Sequence, residues 1–125
     1  MLSDHAAMAT IAVRDMAAAR RFYGDTLKLE PAGEMSDDVT TYRSGDSTLV
    51  VYVSEFAATN RATSATWGVG DEFDDIVRTL RDAGVPFEHY EMPEGRLEGD
   101  VHVFGDFKAA WFTDPDGNIL HVNNG

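Results

Sequence analysis

Apolar and polar residues along this chain follow two periods, one of two residues and one near 3.6, and the order of the periods repeats. In ATIAVRD (9–15) small and β-branched residues alternate and then meet an aspartate. The MAAARRFYGDTL that follows spaces Met16, Ala19, Phe22, Tyr23 and Leu27 along one helical face. Asp15 suits the N-cap, because its carboxylate can accept hydrogen bonds from free amides of the first turn. The same succession returns at TWGVGD (66–71) and EFDDIVRTLRDAG, which aligns Phe73, Ile76, Val77, Leu80 and Ala83. Gly84 can end that helix in a left-handed conformation, and Pro86 bars its continuation.

Strand-like segments follow each helix. They cover roughly 33–43 and 48–54 in the first half, and roughly 86–91, 101–113 and 118–123 in the second. YRSGDSTLVVY (42–52) and WFTDPDGNILH (111–121) share a layout: an aromatic residue, a Gly/Asp turn, an apolar strand and a second ring. This sets Tyr42 in correspondence with Trp111, and Tyr52 with His121. Both halves therefore read strand–helix–strand–strand–strand, an α+β fold in one domain spanning 1–125. Module one covers about 8–55, a polar connector about 56–64, and module two about 65–123. Pro115 and Gly117 suit a type I turn closed by a left-handed residue, a three-residue loop. In that register Asp114 faces Asn118, Phe112 faces Leu120 and Trp111 faces His121. Trp111, Ile119 and His121 then line one face of the sheet, and Phe112, Leu120 and Val122 the other. Helices can cover only one of these faces, so the other must curl around a cavity or meet another surface.

Composition narrows the setting. The 125 residues are 43% hydrophobic and 26% charged, the makeup of an ordinary globular domain. The absence of cysteine removes disulfides, thiolate metal sites and a cysteine nucleophile. No apolar run approaches a bilayer span and no basic leader precedes an apolar stretch, so a cytoplasmic location is expected. A net charge of −12 disfavours nucleic acid and anionic membranes as partners. It suits either plain solubility or a cationic ligand.

The order V-x-D, a helix bearing FY, a second helix ending AGV, then AWFTDPDGNIL resembles the vicinal oxygen chelate superfamily over residues 8–123. That group contains glyoxalase I, bleomycin-resistance and fosfomycin-resistance proteins and extradiol dioxygenases. The resemblance implies two βαβββ modules whose concave sheets form a ligand cavity. It also implies a divalent metal held from the first and last strands of each module. The corresponding positions here are Met8, Tyr52, Ala65 and His121, where metal-using members carry His or Glu. One imidazole among these four falls short of the three protein ligands of a catalytic site. No cofactor is therefore expected, a divalent metal being the alternative. His5 and His102 are possible substitutes, but shifting His5 by three residues reverses its face. His102, in DVHVFGD, reads as part of an exposed hairpin or loop.

The expected cavity face carries Met8, Thr10, Tyr42, Tyr52, Trp67, Trp111, Ile119 and His121, flat rings with a few polar groups. His121 is the candidate acid–base residue, or else a hydrogen-bonding wall residue. Thr59, Asn60, Arg61 and Thr63 form a polar cluster in the connector, where Arg61 either solvates the loop or, as the alternative, pairs with an anionic substrate group. EMPEGRLEGD (91–100) reads as a flap or surface loop, and Asp114 and Asp116 serve their turn. The reading is a homodimeric protein that binds a small planar or aromatic molecule without a tight metal. The alternatives are a metal-dependent lyase, isomerase or dioxygenase of the same superfamily, and a protein-interaction module using the aromatic face.

Overall fold

The computed structural model describes residues 1–33 and 35–125. Two compact units divide the chain, Met1–Asn60 and Arg61–Gly125.

The first unit runs β1 (Ala9–Val13), α1 (Met16–Arg20), β2 (Glu30–Pro31), β3 (Val39–Ser44) and β4 (Ser47–Val53). Its sheet has the order β1-β4-β3-β2, with β1 parallel to β4. Asp15 caps α1 as the sequence predicts, its Oδ1 accepting from the Ala17 amide at 2.9 Å. The helix then widens over Arg21–Thr26, and the Leu27 amide reaches back to the Phe22 carbonyl. Ile11, Val13, Thr40, Tyr42, Leu49 and Val51 are buried on the sheet face beneath the helix. The Thr40 hydroxyl meets Met16 Sδ at 3.4 Å, and the Tyr23 and Tyr42 rings lie 6.2 Å apart. Of the strand predicted over 33–43, Glu34 lies outside the described residues, and the pairing with β4 begins at Val39.

The second unit runs β5 (Thr63–Gly68), α2 (Phe73–Asp82), β6 (Phe87–Glu88), β7 (Arg96–Glu98), β8 (Val101–Phe104), β9 (Phe107–Thr113) and β10 (Ile119–Asn123). Its sheet has the order β5-β10-β9-β8-β7, and β6 also pairs with β9. Val103, Ala110, Phe112, Leu120 and Val122 are buried on one face, as are Phe73, Val77 and Leu80 of α2. Each valine, leucine or phenylalanine among them, fully buried, contributes roughly 1.5–3 kcal/mol. Lys108 Nζ, from β9, pairs with the Asp74 carboxylate of α2 at 3.2 Å. Gly84 takes φ 80, and the Gly84 and Val85 amides donate to the Arg81 and Leu80 carbonyls. This Schellman turn ends α2 where the Gly/Pro signal placed its end.

The βαβββ order holds in both units, and the second carries an extra hairpin, β7–β8. The strand predicted over 101–113 is broken there. Gly105, at φ 61, turns the chain between β8 and β9, and the predicted loop at 91–100 supplies β7.

Candidate functional site

Asp114 shapes the turn that sets the register of β9 against β10. Its Oδ1 accepts from the amides of Asp116 (2.9 Å) and Asn118 (2.8 Å), and its Oδ2 accepts from Asn118 Nδ2 (2.8 Å). Gly117 adopts φ 81 and donates to the Asp114 carbonyl. The predicted pairing follows, with His121 opposite Trp111 and Leu120 opposite Phe112. Strand alternation then puts Trp111, Ile119 and His121 on the face away from α2. The imidazole of His121 lies over the indole, centroids 4.4 Å apart and planes 32° apart.

Two further rings complete a cluster. In β8, Val103 faces α2, so His102 points to the opposite side, where it pairs in register with Ala109. Its ring meets Trp111 edge-on at 4.9 Å, and Tyr90 meets the same indole edge-on at 5.3 Å. The Tyr90 amide donates to His102 Nε2 at 2.9 Å. Asn123 Nδ2 lies 3.2 Å from His121 Nε2 and is placed to donate to it. This network assigns the proton of each ring to Nδ1, which in both residues is buried without a hydrogen-bond partner of good geometry. Burial lowers both imidazole pKa values below 6.5, opposed in part by nearby backbone groups. Burial, and then Glu88, raises the Tyr90 phenol above 10.0. The cluster is neutral near pH 7.

Beside it opens a cavity of about 250 Å³ lined by Tyr90, Met92, Leu97, His102 and Phe104, with Glu91, Gly95 and Arg96. Gly95 fits because it has no side chain: a Cβ there would lie 2.5 Å from the Phe104 ring. Arg96 Nε is tied to Glu98 at 2.8 Å. At the tip of the hairpin Asp100 accepts from Arg81 Nε at 2.9 Å and lies 2.8 Å from His89 Nε2. The His89 bond is the main reason the Asp100 carboxyl titrates below its usual range, with Arg81 adding to it against burial.

The expected site residues divide by face and by unit. Trp111, Ile119 and His121 share one face of the second unit. In the first unit Thr10 and Tyr52 lie on the face opposite the buried one, and Met8 precedes β1 with its side chain exposed. Tyr42 does not join them. It pairs with Leu49 and is 1% exposed, in the core against Tyr23. The two hairpins differ in length, since Tyr52 pairs with Val39 whereas His121 pairs with Trp111. The offset is three residues, and an odd offset exchanges the faces of a strand. Trp67 is also on the other face: it pairs with Val122 and stacks near Phe112 at 6.5 Å. An irregularity between Ile119 and Leu120 sets that parallel register. His102 does lie in a hairpin, in β8 between β7 and β9, but it is buried there at 2% exposure rather than exposed. Tyr90 is not among the expected site residues and His102 enters there only as a substitute ligand, although valines on both sides of His102 between two Gly-Asp turns are the available signal.

The positions that the resemblance assigns to a metal do not fit one. Ala65 has no donor atom and pairs with Leu120 on the covered face, Met8 offers only a thioether, and His121 Nε2 is engaged by Asn123. Among the described residues no three His, Asp or Glu side chains are grouped to hold an ion. No helix among them is long and apolar enough to cross a membrane.

The family model of the Glyoxalase/Bleomycin resistance protein/Dioxygenase superfamily matches residues 3–122. The structure is similar to fosfomycin resistance protein FosX from Mesorhizobium loti, with TM-score 0.71 and 14% identity over 98% of this chain and 92% of that one. It is similar to a glyoxalase/bleomycin resistance protein/dioxygenase from Alicyclobacillus acidocaldarius, with TM-score 0.70 and 23% identity over 96% and 90%. A lactoylglutathione lyase from Agrobacterium tumefaciens gives TM-score 0.69 and 19% identity over 94% and 92%. At these identities the likeness is one of fold. No curated protein matches the sequence.

Proposed function

This chain belongs to the Glyoxalase/Bleomycin resistance protein/Dioxygenase superfamily, and from that premise we propose that it binds a small planar molecule at the second unit without a tightly bound metal. Membership alone does not select a chemistry, because one scaffold of this kind carries many. The observation that supports the reading is the grouping of Tyr90, His102, Trp111 and His121 on one sheet face beside a cavity. Flat apolar walls with a few fixed polar groups are the makeup of a small-molecule site. Stacking on an indole contributes roughly 0.5–1.5 kcal/mol beyond burial. His121 Nε2 can leave Asn123 for a donor on the ligand, a bond contributing about 1 kcal/mol net.

Intrinsic fluorescence tests this, because the chain has two tryptophans and Trp67→Phe leaves only Trp111 to report. A screen of planar compounds on that variant gives a saturable change in emission. His121→Ala weakens the binding about tenfold, roughly 1.4 kcal/mol, the order of one hydrogen bond with a share of the ring contact. A planar compound whose affinity, measured calorimetrically, is unchanged by both His121→Ala and Trp111→Phe would show that the ring cluster is not the site.

A further inference from the structure

The cavity beside the ring cluster is built by the part of the second unit that has no counterpart in the first. Segment 89–95 and hairpin β7–β8 supply its walls, and the repeated βαβββ elements carry them. At about 250 Å³ it lies just under the roughly 300–1,000 Å³ range of sites for drug-sized ligands. It therefore suits one or two fused rings. Tyr90 and Phe104 offer aromatic surface, Met92 and Leu97 offer apolar surface, and His102 contributes no charge.

The segment that forms its walls carries charges of one dominant sign. Residues 88–100 contain the carboxylates of Glu88, Glu91, Glu94, Glu98 and Asp100 against the guanidinium of Arg96, with His89 beside them. Arg96 is engaged by Glu98, and Asp100 is held by Arg81 and His89. Glu91 lines the cavity and forms no ion pair among the described residues. Of the residues lining the cavity, an entering anion meets the Glu91 carboxylate and finds Arg96, already shared with Glu98, to receive it. An entering cation meets ring faces, whose quadrupoles attract it, and a carboxylate. The net charge of −12 raises the local concentration of cations over the whole surface.

We propose that this cavity takes a flat organic cation of one or two fused rings with its charge delocalised over the ring. The proposal rests on the reading that the second unit binds a planar molecule, and adds the sign of the charge. Delocalised charge matters because such an ion sheds water more readily than a compact ammonium does. Its face can then lie against Tyr90 or Phe104 while Glu91 stays at the solvent edge.

Three probes of similar size separate the possibilities: N-methylquinolinium, neutral quinoline and anionic 1-naphthoate, titrated calorimetrically against the whole protein at pH 7.5. N-methylquinolinium binds about tenfold more tightly than quinoline, and 1-naphthoate binds least. The cation's advantage shrinks about threefold in Glu91→Gln and also falls in high salt. Leu97→Arg, a change at an exposed position, abolishes cation binding and leaves the thermal transition in place. If 1-naphthoate binds as tightly as N-methylquinolinium, or if the preference ignores both salt and Glu91→Gln, the cation assignment is wrong while planar binding stands. If none of the three binds, the planar reading of the cavity falls with it.

Discussion

The backbone amide of Tyr90 donates to Nε2 of His102 across 2.9 Å, joining the segment after β6 to strand β8 through an imidazole that is 2% exposed. The bond exists only while that nitrogen is unprotonated. A second proton on the ring would turn acceptor into donor and set two N–H groups against each other. The wall of the cavity at Tyr90 therefore depends on a neutral His102.

This dependence has a direction in pH. His102 and His121 both titrate below 6.5 in the folded protein, chiefly because burial disfavours the charged ring. Above 6.5 each is neutral in folded and unfolded chains alike, and neither changes stability. As pH falls below 6.5 the unfolded chain takes up protons that the folded one refuses, so stability declines until the lowered pKa values are reached. Urea midpoints should be level between pH 8 and 7 and fall below 6.5. The doubly substituted His102→Gln, His121→Gln chain should show a flatter profile. A midpoint rising on acidification would contradict the assignment.

Asp114 is 4% exposed and its carboxylate accepts three hydrogen bonds within its own turn. Asp114→Ala strands two amides and the Asn118 side chain, at a cost of about 3 kcal/mol. Asp114→Asn keeps the shape and costs about 1 kcal/mol. Chemical denaturation measures both. Equal losses would mean that the charge, rather than the geometry, carries the turn.

Gly95→Ala brings a methyl group to 2.5 Å from Cε1 and 2.8 Å from Cδ1 of Phe104. The ring must move, at about 1–3 kcal/mol for overpacking, and it moves at the wall of the cavity. The expected outcome is a lower melting temperature together with weaker binding of any cavity ligand. A variant with unchanged melting and affinity would place segment 89–95 elsewhere.

Self-association is expected from the first unit's open sheet face, where Val39 and Tyr52 are cross-strand partners and Tyr52 is 36% exposed. Light scattering should give twice the 13.7 kDa chain mass at micromolar concentration, and Tyr52→Glu should halve it. A single-chain mass for the unsubstituted protein would end this expectation.

Short-range chemistry was legible in the sequence wherever one or two residues govern an element. Asp15 marked a helix start, Gly84 with Pro86 marked an end, and Asp-Pro-Asp-Gly gave the register that joins Trp111 to His121. Long-range register was not legible. The face of Tyr42 depends on how many residues the Ser44–Ser47 turn consumes, and that of Trp67 on an irregularity in a parallel pairing. A parallel pair has no turn to read, so its register comes from packing alone. Tyr90 and His102 were hidden for another reason. A glycine-rich, acidic stretch reads as a surface loop until the strand it pairs with is known.

The hairpin β7–β8 also separates two demands that act on the same residues in many binding proteins. Folding of the second unit draws on Phe112, Leu120 and Val122 beneath α2, on the turn at Gly84 and on Asp114. The cavity draws on residues 90–104, which join that frame through β8 pairing with β9 and through Arg81 on Asp100. Substitutions at Glu91, Met92 or Leu97 therefore leave the core untouched. Ligand choice can be selected at these positions while foldability is selected elsewhere, which makes the hairpin the natural segment to randomise when seeking new specificities on this scaffold.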